Sequence, residues 1–317
     1  MIKDADKFYD SLAKETVECP LCAFEENTPL YDNDRYGMGV KTVICGQCSL
    51  IYINPRPTED EMAVFYREHY RKFYESVERP NKNYINSGPF IPRAKFVIDV
   101  LKPYLEKADS IFDFGCAEGT LLHLVEKKYS HLKTFGLEPS LEFGKYAQEQ
   151  LKGDVFIGSY QEFVHSKPKD TFDILTCNHV LEHILDPKEF LLTLKGFMHK
   201  ESVLYIEVPN IADNRVKGIG ALHIGHVLYF DPLTLKLLLE KCGFEVLKLY
   251  TKNLPAKTPA MSAICRKIFY DLPVKYPDIT HIESKKNRFL NNVVFPEGVE
   301  SKNYNSLLKK LKRRFIK

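Results

Sequence analysis

Residues 179–183 read HVLEH, so His179, Glu182 and His183 crowd together directly after the apolar run ILTCN. At i, i+3 and i+4 the three side chains share one face of a helical turn. Each can move a proton or bind a metal, and clustered titratable groups are a mark of functional sites. Three readings stand: a satisfied core turn, a pair that orders an acceptor and removes its proton, or a divalent-metal site. A second cluster lies in LHIGHVLYFDP, where His223 and His226 precede an amphipathic helical pattern opened by Asp231 and Pro232. Histidine titrates near neutrality, which suits it to accept a hydroxyl proton. His226 is read as that base, with His183 competing for the role; in the metal reading His226 is the fourth ligand. The plain alternative for His226 is a histidine capping its loop.

The cysteines point to a different chemistry. Of eight, four form two close pairs, Cys19/Cys22 in CPLC and Cys45/Cys48 in CGQC. Two Cys-x-x-Cys turns can bring four thiolates to a tetrahedral point, the geometry of a structural zinc ion. Such a site is closed, so it is assigned no chemistry, and a lobe this small needs the metal to fold. Cys116, Cys177, Cys242 and Cys265 are scattered and read as small buried apolar residues.

The elements that must position these groups follow from composition and pattern. The chain has 317 residues, 44% hydrophobic and 27% charged, with a net charge of +3. That is an ordinary soluble, globular balance, and the charge is too small to argue for nucleic acid. No apolar stretch approaches the roughly 20 residues of a membrane span, and the amino terminus lacks a signal-peptide core, so a cytoplasmic location is expected. Residues 1–56 read as a separate zinc lobe and 57–92 as a helix, with Thr58 its N-cap candidate, followed by a linker or cover. The main domain is 93–270, opening on a helix over 93–107, and 271–317 is an extension ending in a basic helix. From about residue 110, seven short apolar runs alternate with helical segments: SIFDFG, TFGLEP, DVFIGS, FDILTCN, SVLYIEVPN, FEVLKLY and AMSAICRK. Alternation implies an α/β fold with a mostly parallel, helix-covered sheet. Only TKNLPAKTP separates the last two runs, too little for a crossover, so they should pair antiparallel.

The first run enters DFGCAEGT. Gly115 and Gly119 permit a tight turn and a close ligand approach, while Asp113 stands where a pyrophosphate site would have glycine. A carboxylate there repels phosphate and suits a ligand carrying an ammonium and a sulfonium. Glu138 ends the next run, at the sheet edge, where a carboxylate can accept both hydroxyls of a ribose.

Asp113, Gly115 and Gly119 followed by Glu138 resemble the first motif and its acidic follower in class I S-adenosylmethionine-dependent methyltransferases, over roughly residues 90–268. The leading CPLC…CGQCSLIYINPRPTEDEM resembles the zinc-ribbon lobe of a bacterial subgroup associated with sugar and surface-glycan modification. The resemblance implies a Rossmann-like seven-stranded sheet with a terminal antiparallel hairpin, plus a small N-terminal zinc ribbon. It implies that Asp113, Gly115 and Gly119 cradle the methionine part of the cofactor and Glu138 holds the ribose, with Cys116 and Pro139 also at the cofactor. Ser159 and Tyr160 would flank the adenine, and Asn178 would lie at the methionine end. His223 and His226 resemble the histidine loop facing the cofactor in sugar methyltransferases. Carbon-methylating members carry glutamate where this chain has Gly225, which points to oxygen methylation. HVLEH is also similar to the Glu-x-x-Glu-His site of metal-assisted methyltransferases, with His179 replacing the first glutamate.

The reading that follows is O-methylation of a sugar, nucleotide-linked sugar or related small acceptor in surface-glycan biosynthesis. Two rivals are an RNA methyltransferase and a zinc-ribbon interaction protein with an inert domain. The knuckles carry almost no Lys or Arg, against the first; Asp113, Gly119 and Glu138 speak against the second. YNSLLKKLKRRFIK, residues 304–317, reads as a terminal helix packing on its own domain, with peripheral membrane contact as its alternative.

Overall fold

The computed structural model describes residues 5–70, 77–166, 170–252, 254–256, 258–270 and 272–294; the basic stretch 304–317 lies outside them. In chain order the strands are β1 (Lys14–Glu15), β2 (Asn27–Tyr31), β3 (Thr42–Cys45), β4 (Ile51–Ile53), β5 (Arg56–Pro57), β6 (Ser110–Phe114) and β7 (Lys133–Glu138). They continue as β8 (Asp154–Ile157), β9 (Phe172–Asn178), β10 (Met198–Pro209), β11 (Leu228–Tyr229), β12 (Phe244–Tyr250) and β13 (Ala260–Lys267). All seven apolar runs are strands, and they form one sheet in the order β12-β13-β10-β9-β6-β7-β8. The pairs among β6 to β10 are parallel, and β13 runs antiparallel to both β10 and β12. The expected hairpin is there.

The unbroken apolar runs have a simple cause. Successive strand side chains point to opposite faces, and here each face carries its own core. Ile111, Ile174, Val203 and Ile264 join one core, while their neighbours Phe112, Leu175, Leu204 and Ala263 join the other. A sheet covered on both sides needs apolar residues at every position. Helix Phe90–Leu105 covers the first face with Ala94, Val97, Ile98, Leu101 and Leu105, spaced three or four apart. Each large side chain buried this way contributes roughly 1.5–3 kcal/mol. Strand order reverses at β6, with β7 on one side and β9 on the other. In open α/β sheets that switch point leaves a crevice outside the carboxyl ends of the strands, which here carry the glycine turn and HVLEH.

The N-terminal lobe departs from the expected independent unit. β2, β3 and β4 form an antiparallel sheet whose free edge is taken by β11, from the histidine loop of the larger domain. Leu50, Tyr52 and Ile53 share one core with Leu222, Leu228 and Phe230. The lobe thus completes its core on its neighbour. Helix Ile279–Phe289 ties the two together. Its buried Lys285 donates from Nζ to Ser49 O at 2.6 Å and pairs with Asp231 at 2.8 Å.

The described parts of the segment before the main domain are largely helical. Thr58 does stand at the N-cap of helix Glu59–Val64, but without a side-chain cap bond; its carbonyl accepts from Met62 N at 3.0 Å. The chain continues as a π turn, Phe65–His69. The Asn- and Gly-rich stretch beyond holds helix Lys82–Ser87, capped by the Asn81 side chain. Among the described residues no helix is long and apolar enough to cross a membrane.

Candidate active site

At the end of β6 the chain turns through Gly115 (φ +74°) and Gly119 (φ +81°), a left-handed conformation that favours glycine. A Cβ on Gly115 would stand 2.5 Å from Val180 Cγ2, so the glycine turn and the HVLEH turn touch directly. Asp113 is buried, accepting from Thr176 Oγ1 at 2.6 Å and Asn178 Nδ2 at 3.4 Å. Burial raises its pKa to about 7 against those two hydrogen bonds. The Oδ1 of Asn178 is buried with no hydrogen-bond partner, an acceptor left for a donor from a ligand. Glu138 is buried too, and its oxygens accept from Ala117 N and Ser140 N, each at 3.0 Å. An orphan carbonyl and two buried carboxylates at the strand ends suit an amino-acid end and a ribose. The residues present fit S-adenosylmethionine.

Not every residue expected at the cofactor presents its side chain there. The Cys116 thiol packs into the core over Gly136, and its amide donates to Leu137 O. Ser159 caps helix Tyr160–Ser166, its amide and hydroxyl both bonded to Glu162. The Tyr160 ring stacks edge-on against Phe190, 5.1 Å between centroids, and Pro139 stands exposed at the rim. Local capping and core packing claim these side chains, leaving backbone as what Ser159 and Cys116 can offer.

The HVLEH turn is not the single helical face that its spacing suggests. His179 adopts φ +54° and stands outside a short 3-10 turn, Leu181–His183. That reversal carries His179 inward, between Glu207 Oε1 at 2.9 Å and Glu182 Oε1 at 3.3 Å. Burial and Arg93 push its pKa down, but hydrogen bonds to Glu182 and Glu207 outweigh them and the net shift is upward. Glu207 in turn holds Arg93 at 3.2 Å and the Tyr205 hydroxyl at 2.8 Å. His179 is therefore a bridge between carboxylates rather than a group facing an acceptor.

His183 and His226, from different loops, meet instead. The His183 ring lies 4.9 Å from the His226 ring, and His226 lies 3.7 Å from His223. Glu182 Oε1 sits 3.9 Å from His183 Nε2 and 3.8 Å from His226 Nε2. Burial, with neighbouring positive groups, pushes His226 and His223 well below the ordinary histidine pKa, so both are neutral at neutral pH. His223 is buried behind His226, its amide bonded to the Tyr229 hydroxyl at 3.1 Å. Gly225, where a glutamate might have stood, offers its carbonyl to His183 Nδ1 at 2.5 Å and to the Tyr66 hydroxyl at 2.8 Å. Tyr66 and Tyr70 stack edge-on against His183 at 5.5 and 5.3 Å. A small cleft beside His226 is lined by Arg35, Asn210, His223 and Tyr229, which brings the N-terminal lobe to the cluster's edge.

Four of these groups escaped sequence reasoning: Arg93, Glu207, Tyr66 and Tyr70. Only Glu207 left a clear signal, a carboxylate inside the apolar run SVLYIEVPN.

The four cysteine sulfurs converge, all within 4.8 Å of one another, with Cys19 to Cys48 at 3.4 Å and Cys22 to Cys45 at 3.5 Å. Tetrahedral zinc with bonds of about 2.3 Å sets its sulfurs about 3.8 Å apart. Ala23 (φ +59°) and Ser49 (φ +62°) make the left-handed knuckle turns, and the amides of Gln47 and Cys48 point at Cys45 Sγ. The donor set fits structural zinc.

Comparison with known proteins agrees with this geometry. The family described as Methyltransferase domain matches residues 92–249. An uncharacterized methyltransferase of Schizosaccharomyces pombe is 32% identical over 104 residues, 29% of this chain and 37% of its own. A trans-aconitate 2-methyltransferase of Rhodopseudomonas palustris is 22% identical over 152 residues, 48% of this chain and 53% of its own. The chain thus spans about half the length, or less, of these curated relatives. Among solved structures, the plantazolicin methyltransferase BpumL in complex with SAH shares the fold, with a TM-score of 0.51 at 16% identity, over 65% of this chain and 94% of that one. Fold and family define the class, the class I S-adenosylmethionine-dependent methyltransferases. Residues 92–249 belong to that methyltransferase domain family, and the protein joins to it a four-cysteine lobe and a C-terminal helix.

Proposed function

We propose that this protein uses S-adenosylmethionine to methylate a hydroxyl of a sugar, nucleotide-linked sugar or related small acceptor, in the cytoplasm and in surface-glycan biosynthesis. One observation carries the reading: the turn that bears Glu182 and His183 touches the glycine turn through Val180, and its two residues meet His226 beside the Tyr66 ring. The cofactor supplies an electrophilic methyl on a sulfonium. The chain holds the reactants in register, an effect worth several kcal/mol, and the cluster is where the acceptor's proton is drawn off. Gly225 supports the oxygen reading, because its carbonyl tethers His183 where a glutamate base would otherwise stand. The sugar class rests on the resemblance of the N-terminal lobe, whose Arg35 reaches the cleft, and we assign that lobe a structural zinc. Labelled methyl transfer into nucleotide-sugar pools, against RNA in a parallel assay, tests the proposal. Incorporation into RNA alone overturns it, and no incorporation into any acceptor favours an inert domain.

Two expectations concern the cofactor. Glu138→Ala should weaken S-adenosylhomocysteine at least about tenfold, roughly 1.4 kcal/mol, through lost ribose bonds; calorimetry with unchanged affinity would remove Glu138 from the site. The second concerns pH. Asp113 in the free protein is protonated below a pKa of about 7, whereas a ligand ammonium favours its carboxylate. Binding at lower pH must therefore expel a proton. Affinity should rise as pH increases through 7, and fall about tenfold at pH 6 relative to the plateau. Calorimetry at pH 6 in two buffers of different ionisation enthalpy should show proton release that Asp113→Asn abolishes.

A further inference from the structure

Glu182 is a buried carboxylate, 1% exposed, whose oxygens have no hydrogen-bond partner beyond the His179 contact. Its nearest charged partner, His179 at 3.3 Å, is shared with Glu207. A carboxylate taken out of water without hydrogen bonds costs several kcal/mol unless a cation compensates it. Apart from His179, the groups that face it bring more electron density. A backbone carbonyl only accepts, so the 2.5 Å contact of His183 Nδ1 with Gly225 O fixes the proton on Nδ1 and turns the Nε2 lone pair toward Glu182. The Tyr70 hydroxyl approaches that Nε2 at 3.5 Å, a long contact. His226 brings a second imidazole nitrogen to the same carboxylate oxygen, and the three donor atoms lie within 4.8 Å of one another.

We propose that Glu182, His183 and His226 bind a divalent transition-metal ion, and that this ion holds and acidifies the acceptor hydroxyl. The site rests on the acceptor position proposed above. Donors around a tetrahedral ion with bonds of about 2.0–2.2 Å stand roughly 3.3–3.6 Å apart. Small rotations of two histidines whose side chains are 12% and 16% exposed close the set from 3.9 and 3.8 Å. An imidazole whose far nitrogen donates to a backbone carbonyl has the outer-shell support that metal-binding histidines usually carry. Two imidazoles and one carboxylate suit Zn²⁺, Mn²⁺ or Fe²⁺, whereas Mg²⁺ and Ca²⁺ prefer all-oxygen shells. Three protein ligands leave room for the acceptor oxygen. On that oxygen the O–H bond breaks and its proton passes to water at the cleft. The oxygen lone pair forms the O–C bond, and the S–C bond breaks with its electrons staying on sulfur. This differs from the expected ligand set, because His179 is withdrawn between its two carboxylates.

The test uses the full chain with its cysteine lobe loaded with zinc. Equilibrium dialysis against Mn²⁺ and, separately, Co²⁺ should show one further equivalent bound. The added Co²⁺ should display ligand-field bands without thiolate charge transfer, which separates this site from the four cysteines. Glu182→Gln and, as a second variant, His183→Gln should lose that equivalent, with affinity reduced at least about tenfold, and keep the lobe zinc. A chelator too weak to strip the lobe should stop methyl transfer, and Mn²⁺ or Zn²⁺ should restore it. No further equivalent, together with turnover indifferent to chelator, overturns the metal and leaves the methyltransferase reading intact with His226 as a bare proton acceptor. A second equivalent of metal on a protein that transfers no methyl to any acceptor sinks the role of the ion.

Discussion

Replacing His226 by alanine is expected to lower turnover by about 10²–10⁴-fold, the range for loss of a group that handles the acceptor's proton. Cofactor affinity should stay within about twofold, because the groups fitted to the cofactor, Asp113, Asn178 and Glu138, come from β6, β9 and β7 and not from the loop that carries His226. The expectation holds whether His226 takes the proton or ligates the ion that releases it, since either role is lost with the imidazole. His183→Ala should cost less at saturating acceptor and more in acceptor affinity, since His183 is tied to Gly225 O and packed under Tyr66 and Tyr70. Single-turnover methyl transfer with calorimetry of S-adenosylhomocysteine separates the two. A mild His226→Ala beside a severe His183→Ala would move the chemistry into the HVLEH turn.

The sheet was legible because its signal is local. Seven apolar runs, most with residues shared between two cores, are what burial on both faces requires, and no long-range contact is needed to see them. The glycine turn was legible for a similar reason: Gly115 and Gly119 mark left-handed backbone in place. The cysteine knuckles announce their own geometry. What stayed hidden depends on chain reversals and on partners far apart. The left-handed φ of His179, an ordinary L residue, breaks the helical face that i, i+3 and i+4 implied and sends the ring to Glu207. Periodicity cannot report that. Arg93 and Glu207 find each other only after helix Phe90–Leu105 has packed on the sheet. A cover was expected in the Asn- and Gly-rich stretch 79–92, yet Tyr66 and Tyr70, from the helical run before it, are the rings that pack against His183. Loss of a carboxylate at Gly225 was visible in sequence, but the use of its carbonyl as a tether was not.

The largest stability effect should come from the metal lobe, and the structure changes how far it reaches. From sequence the lobe looked separate, so Cys45→Ser would release zinc and unfold residues 1–56 alone. Its sheet, however, ends on β11, two residues beyond His226, and Lys285 binds Ser49 in the second knuckle while pairing with Asp231 at the cap of helix Pro232–Lys241. Structural zinc supplies about 10–16 kcal/mol of folding free energy in isolated zinc-finger peptides, which exceeds what three short strands can hold without it. Cys45→Ser should therefore release the zinc, melt β2 to β4 and leave the edge at β11 unpaired. The His223–His226 loop loses its support, and turnover should collapse by an amount similar to that of His226→Ala. The sheet bearing Asp113 and Glu138 does not pair with the lobe, so S-adenosylhomocysteine should still bind within a few-fold of the parent. Elemental analysis, calorimetry and hydrogen exchange on one preparation check the three parts together. Zinc loss with full turnover would show the lobe to be uncoupled from the site, and absence of zinc from the freshly purified parent would remove the metal altogether.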